Sequence, residues 1–164
     1  TTRYRMHPVD AMEGGGDEAG LRTMSGAMHH FRPEALGALI ASVVAGGHPL
    51  AFFDIAASSG FRRLPAAVVP VVMGINMIAL ATASMVLVPF VRPLRWSRIA
   101  LTYVVPAIPF LVAWDGSVSA LRAYTPDELL SIAQGVAGAD AYSWHSGRNG
   151  TALFLVGVPN EAPA

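Results

Sequence analysis

A strand, a helix and a second strand follow one another between Leu21 and Ile55, and this order constrains the fold more than any other feature. The run Leu21–Ser25 is short and β-prone. Pro33 predicts the start of a helix, because proline is tolerated in a first helical turn. Apolar residues then recur at helical spacing until Gly46, where a pair of glycines predicts the helix end. The apolar run Pro49–Ile55 predicts a second strand that is covered on both faces.

Two strands joined in this way are expected to be parallel, with a right-handed crossover. A parallel sheet presents its chemistry where its strands end, which here means the His29-His30 loop and the segment after Asp54. Imidazole titrates near neutrality, so either histidine can serve as a general base or as a donor to a substrate. The alternative is that one histidine is exposed and the other satisfies loop carbonyls.

Composition excludes several classes of function. The net charge is zero, whereas binding to nucleic acid needs a basic patch. The chain has no cysteine, which excludes disulfides, cysteine-ligated zinc and thiol catalysis. A metal site is not predicted either, because the remaining histidines have no ligand spacing to the His29-His30 pair; they are His7, His48 and His145. Charged residues interrupt the start of the chain, so no signal peptide is visible and a cytoplasmic location is expected.

A long uncharged run interrupts this pattern. No charged residue occurs from Leu64 to Val91, and about 20 apolar helical residues suffice to cross a bilayer. A basic, aromatic joint follows at residues 92–98. The second uncharged run, Ile99–Trp114, carries Pro106 and Pro109, so a regular helix is not expected there.

Three arrangements of this uncharged region are compatible with the sequence. Two membrane crossings would place the basic joint away from the cytoplasm, against the positive-inside tendency, and one crossing would separate the last elements from the sheet. Helices in the membrane interface, or folded as a lid, are favoured. A buried core pair or a homodimer interface is the third reading. In an interfacial arrangement the residues at headgroup level would be Arg62, Arg63, Arg92, Arg95, Trp96 and Arg98.

The two ends of the chain complete the predicted elements. Arg3–Val9 alternates as a strand does and leads to Asp10-Ala11 and a glycine-rich loop. Thr125 is the expected N-cap of a late helix that runs to about Val136. Ala141–Gly147 and Thr151–Val158 are predicted strands, joined by a turn over residues 148–150.

This order of elements resembles the C-terminal half of a class I S-adenosylmethionine-dependent methyltransferase. The MHHF motif at residues 28–31 and the AYTPDEL motif at residues 123–129 carry the likeness best. The resemblance implies an α/β fold: a partial Rossmann-like methyltransferase sheet of parallel strands, a closing antiparallel hairpin and an inserted hydrophobic helical segment. It divides the chain into residues 1–63 (strands three to five), 64–114 (the insertion) and 115–164 (the last helix and hairpin).

The resemblance also implies site residues. Asp10 and Ala11 occupy the place that meets the adenine of S-adenosylmethionine, although Asp10 can equally be a turn former. Ser25 and Gly26, at the end of the fourth strand, would border the methyl donor. His29, His30 and Phe31 would contact the substrate. No catalytic residue is predicted, because methyl transfer gains much of its rate from proximity and orientation.

Two family hallmarks have no counterpart here: the glycine-rich loop after the first strand and the acid that ends the second. The chain is therefore read as a truncated enzyme or as a degenerate one. The expected function is methyl transfer from S-adenosylmethionine to a small hydrophobic or lipid-like acceptor, at or near a membrane surface. The alternatives are a small, non-enzymatic, membrane-associated protein and a half-sheet that pairs with another chain.

Overall fold

The computed structural model describes residues 10, 12, 19–55 and 64–160. Within these residues four strands form one sheet: β1 (Arg22–Ser25), β2 (Leu50–Asp54), β3 (Tyr142–Asn149) and β4 (Ala152–Pro159). The same residues contain five α-helices: α1 (Pro33–Ala45), α2 (Val69–Leu87), α3 (Trp96–Tyr103), α4 (Ala107–Arg122) and α5 (Pro126–Gln134). The strand predicted at Arg3–Val9, the glycine-rich loop and residues 56–63 lie outside the described part of the chain.

The chain separates into two compact units, one formed by residues 1–55 with 124–164 and the other by residues 56–123. The first unit contains the sheet, in the order β1-β2-β4-β3. β1 is parallel to β2, and β4 lies between β2 and β3, antiparallel to both. The prediction of an α/β fold is confirmed in this form: a four-stranded mixed sheet with helices.

Local signals fix the helices of the first unit. α1 begins at Pro33 and ends before two glycines, the second of which has a φ of +66°. α5 begins with a capping box, in which the Thr125 hydroxyl accepts the Glu128 N–H and the Glu128 carboxylate accepts the Thr125 N–H. Two backbone donors are thereby satisfied at the helix start.

One face of the sheet carries the core. Residues of α1 and α5 bury their apolar side chains against alternate residues of β2 and β4, with Leu50, Phe52 and Leu155 almost fully buried. On the opposite face Phe53 is 42% exposed and Val158 is 47% exposed. Ala51, on the same face of β2 as Phe53, is buried, so the second face of β2 is covered in part, at Ala51 but not at Phe53.

The hairpin β3–β4 closes with two loop residues, Gly150 and Thr151, and Asn149 pairs with Ala152. Gly150 has a φ of +59°, which glycine adopts without steric cost. β3 extends two residues beyond the predicted end at Gly147, so the turn occupies residues 150–151 in place of the predicted 148–150. Across the hairpin, Gly157 faces Trp144, whose indole N–H donates to the Ala139 carbonyl at 2.9 Å.

We expect Gly157→Ala to lower the free energy of unfolding by about 1–3 kcal/mol, because the new Cβ would overlap the Trp144 ring. Chemical denaturation followed by circular dichroism measures the change. In a Trp144→Leu background the clash is absent, so the same substitution should be neutral or stabilising, since alanine loses less backbone entropy than glycine. An equal cost in both backgrounds would contradict this explanation.

The second unit consists, in its described part, of α2, α3 and α4. Val69–Phe90, which includes α2, is long and apolar enough to cross a membrane by length and composition, and the pair α3–α4 is bent by 73°. No single regular helix runs through Ile99–Trp114, as the prolines predict, because residues 104–106 separate α3 from α4, although the chain is helical on both sides of this break. Pro106 lies at the break between α3 and α4, and Pro109 lies in the first turn of α4, where proline costs no helical hydrogen bond.

Candidate functional site

The carboxyl ends of β1 and β2 meet at one edge of the sheet, because the two strands are parallel neighbours. Asp54 is the last residue of β2. The chain leaving β1 forms a single 3₁₀ turn, Met28–His30, which carries His29 to the same edge. Met28 is fully buried in the core below and anchors this turn.

His29 and Asp54 form a buried pair. The Asp54 carboxylate accepts the backbone N–H of His29 at 3.0 Å. His29 Nδ1 lies 2.8 Å from Oδ2 and 3.0 Å from Oδ1 of the same carboxylate. Asp54 is 2% exposed and His29 is 9% exposed, so little water competes for these hydrogen bonds. One carboxylate thus fixes both the loop backbone and the imidazole ring.

This contact also determines the tautomer of a neutral His29 ring. A carboxylate only accepts hydrogen bonds, so the ring proton must lie on Nδ1 and the lone pair on Nε2. Nε2 makes no hydrogen bond to the described residues, and none of their buried polar side-chain atoms lacks a partner. Nε2 therefore keeps contact with solvent and is free to accept a proton.

His30 and Phe31 differ from His29 in their surroundings. His30 is exposed, and its ring centroid lies 4.1 Å from that of His29. Phe31 packs partly against the core, and its carbonyl accepts the Tyr124 hydroxyl at 2.8 Å. The loop is thus held from two sides, by Asp54 and by Tyr124.

The residues predicted to bind the methyl donor are only partly brought to this edge. Ser25 and Gly26 end β1 and are exposed, and the Gly26 N–H donates to the Phe53 carbonyl at 2.9 Å. Asp10 is exposed, and its carboxylate accepts the Met12 N–H at 2.9 Å, which is the local turn contact that the sequence left open as an alternative. Ala11 lies outside the described residues.

These residues do not by themselves fit S-adenosylmethionine. The donor needs hydrogen-bonding partners for its adenine, its ribose and its amino-acid end. No described side chain has a buried polar atom without a hydrogen-bond partner, which such a ligand would otherwise satisfy. Of the residues expected at the donor, the structure brings Ser25 and Gly26 to the edge where His29 and Asp54 lie. No described group of three or more His, Asp or Glu side chains could hold a metal ion.

Two residues of the site were not predicted from the sequence. Asp54 had a visible signal, since it is a single acid at the end of an apolar strand, at the edge where parallel strands end. Tyr124 belongs to the AYTPDEL motif, but nothing in the sequence indicates that its hydroxyl reaches a loop 93 residues earlier.

No family model, curated protein or solved structure matches this chain. Function must therefore be inferred from the residues themselves.

Proposed function

We propose that the chain is an S-adenosylmethionine-dependent methyltransferase, or the C-terminal part of one, in which His29 accepts the proton of the methyl acceptor. The observation that carries the proposal is the buried His29–Asp54 pair, at the edge where two parallel strands end. Parallel strands followed by a closing antiparallel hairpin agree with the arrangement that the resemblance implies.

His29 has the features of a general base. Its lone pair on Nε2 is directed away from Asp54 and keeps contact with solvent, so a hydroxyl or amine of an acceptor can donate to it. Asp54 orients the ring and stabilises the imidazolium that forms when the proton is transferred. A base positioned in this way typically contributes about 10²- to 10⁴-fold to a rate.

The acceptor is proposed to be small and hydrophobic or lipid-like. Support comes from the exposed apolar side chains of residues 64–123, among them Ile78, Phe90, Trp96 and Val104, and from the exposed Arg92 and Arg95 in the same segment. Large apolar patches with a polar rim commonly mark sites where apolar ligands, membranes or proteins bind.

Calorimetric titration with S-adenosylmethionine tests the proposal. The chain alone should bind with a Kd of about 1 mM or weaker, because the described residues supply one edge of a donor site. Binding should tighten when the coding sequence upstream is included, and tritium from labelled donor should then appear in a hydrophobic hydroxylated acceptor. Absence of binding and transfer in both forms would contradict the proposal.

A second candidate is a small, non-enzymatic, membrane-associated protein. The observation that favours it is α2, which lies in an apolar segment that is only 11% buried. This candidate requires the chain to stay with membranes during a carbonate wash. Release by carbonate would count against it.

A further inference from the structure

α2 and α4 form an antiparallel helical hairpin within the second unit. The Asn76 side-chain amide donates to the Ser117 hydroxyl at 3.0 Å, and a Cβ on Gly116 would come within 2.6 Å of Leu80. The Tyr103 hydroxyl, at the end of α3, donates to the Met85 carbonyl near the end of α2. α4 therefore begins near the end of α2 and runs back along it. The face of α4 toward α2 carries small residues, including Ala113, Ser117 and Ala120, all of them buried, which allows the close approach.

The outer face of α2 is apolar except at Thr82. Val71, Ile75, Ile78 and Val86 are spaced by four, three and eight residues, so they share one side of the helix with the exposed Thr82, and each of these four is more than half exposed. α2 contains no charged residue. A face of this kind has no favourable contact with water.

The exposed side of α4 has two neighbouring stripes of different polarity that run along the helix. Asp115 and Arg122 are seven residues apart and exposed, so they lie on one stripe, with Ser119 between them. Beside this stripe, Phe110 and Trp114 stack with ring centroids 6.4 Å apart, and both are more than half exposed. Leu111, four residues before Asp115 on the same stripe, is 60% exposed. The second half of α4 therefore presents a charged stripe with an apolar aromatic flank beside it.

The far end of the hairpin is basic. Arg98 donates from Nη1 to the carbonyls of Val91 and Pro93 and so closes the turn before α3. Arg92 and Arg95 are exposed and form no ion pair with described residues, and Trp96 is 82% exposed. Residues 64–123 contain four arginines and one aspartate, which gives this segment a net charge of +3 although the whole chain is neutral.

We infer that this hairpin lies in the interface of a lipid bilayer with anionic headgroups. In this arrangement the outer face of α2 contacts acyl chains, and the aromatic flank of α4 lies at headgroup level. Arg92 and Arg95 contact the headgroups, while the Asp115–Arg122 stripe faces water. The inference is independent of the proposed methyl transfer, because it rests on residues 64–123 alone.

Charge and shape favour an interface over a crossing or a protein partner. Asp115 is the ninth of sixteen residues in α4, so a crossing by α4 would bury an exposed carboxylate near mid-membrane, where acidic residues are among the least favourable. The exposed apolar residues lie on the outside of α2 and on one flank of α4, next to an end that carries exposed arginines. Apolar faces combined with basic residues are typical of helices that lie in an anionic lipid interface.

Single-cysteine labelling tests the orientation, and the absence of native cysteine removes any background. We would prepare Ile78→Cys on α2, Ser119→Cys on the α4 stripe and Ser97→Cys at the basic end, and add each protein to sealed vesicles of phosphatidylcholine with 25 mol% phosphatidylglycerol. An environment-sensitive dye at position 78 should shift to the blue and be quenched by acyl-chain nitroxides. A dye at position 119 should stay in water. A membrane-impermeant maleimide added outside should react at both 97 and 119.

Two results would overturn the inference. Protection of position 97 or 119 from the external reagent until detergent is added would show a crossing helix. A dye at position 78 that does not respond to vesicles would exclude the lipid contact, and light scattering would then show whether a second copy covers α2.

Substitution of the exposed arginines gives a second test, in which the affinity for vesicles is measured. The double substitution Arg92→Gln/Arg95→Gln should weaken binding to anionic vesicles by about 30-fold, since each basic residue near an anionic surface contributes about one kcal/mol. Arg32→Gln, which removes an exposed charge from the other unit, should leave the affinity unchanged. Equal effects of the two changes, or no preference for anionic over neutral vesicles, would overturn the role given to the basic end.

Discussion

His29→Gln is expected to lower the rate of acceptor methylation by about 10²- to 10⁴-fold, the usual contribution of a positioned general base. Glutamine keeps a polar side chain of similar length but cannot take up the acceptor's proton at neutral pH. The rate is measured as transfer of tritium from labelled S-adenosylmethionine. The loss should appear in kcat, because the proton moves during the reaction and not on binding.

His30→Gln is the matched control for this substitution. His30 is the adjacent residue and has the same side chain, but it is exposed and lacks the contact with Asp54. We expect its replacement to change the rate by less than about threefold, as surface substitutions commonly do. Equal losses from the two histidines would show that the paired ring has no special role.

Asp54→Ala is expected to lower the free energy of unfolding by about 3 kcal/mol and to remove most of the activity. The backbone N–H and the ring N–H of His29 both lose their acceptor, and each buried group left unpaired costs about 1–3 kcal/mol. Chemical denaturation measures the stability. A change below about 0.5 kcal/mol would show that the carboxylate does not hold the loop.

Asp54→Asn separates the structural effect from the chemical one. Asparagine retains one oxygen, which can still accept the backbone N–H of His29, so the loss of stability should be smaller than for alanine. Its amide can donate to Nδ1, however, which shifts the ring proton to Nε2 and leaves no lone pair for an acceptor. The activity should therefore fall about as far as in His29→Gln, and the double variant should lose little more. Additive losses would contradict a shared role.

The elements that the sequence predicted well are those with local signals. α1 has proline at its start and glycines at its end, and α5 has a full capping box at Thr125 and Glu128. β2 is a short apolar run between turn residues. Such signals act within a few residues, so they are visible without knowledge of the tertiary structure.

The features that the sequence did not predict depend on packing between distant parts of the chain. Phe53 looks like a core residue in an apolar strand, and its exposure follows from which side of the sheet the helices cover. Pro109 looks like a helix breaker, and its effect depended on where α4 begins. The ends of elements are set partly by such contacts and not by propensity alone.

The candidate site, too, combines a local sequence signal with a contact between residues that are distant in sequence. The MHHF loop was a candidate site segment, but the choice between His29 and His30 was left open. The structure distinguishes them, because His29 contacts Asp54 across 25 residues of sequence and the parallel pairing of β1 and β2 brings these two residues together. The roles of Asp10, Ser25 and Gly26 in binding a donor stay predictions.

The most direct test of the account is a ¹⁵N-correlated NMR spectrum of the histidine ring nitrogens at a pH where the rings are neutral. We predict that His29 appears as the Nδ1–H tautomer with an unprotonated Nε2, and that Asp54→Asn changes this pattern while His30 keeps its own. An Nε2–H tautomer at His29, or a His29 spectrum that does not respond to Asp54→Asn, would contradict the pairing on which the proposed base depends.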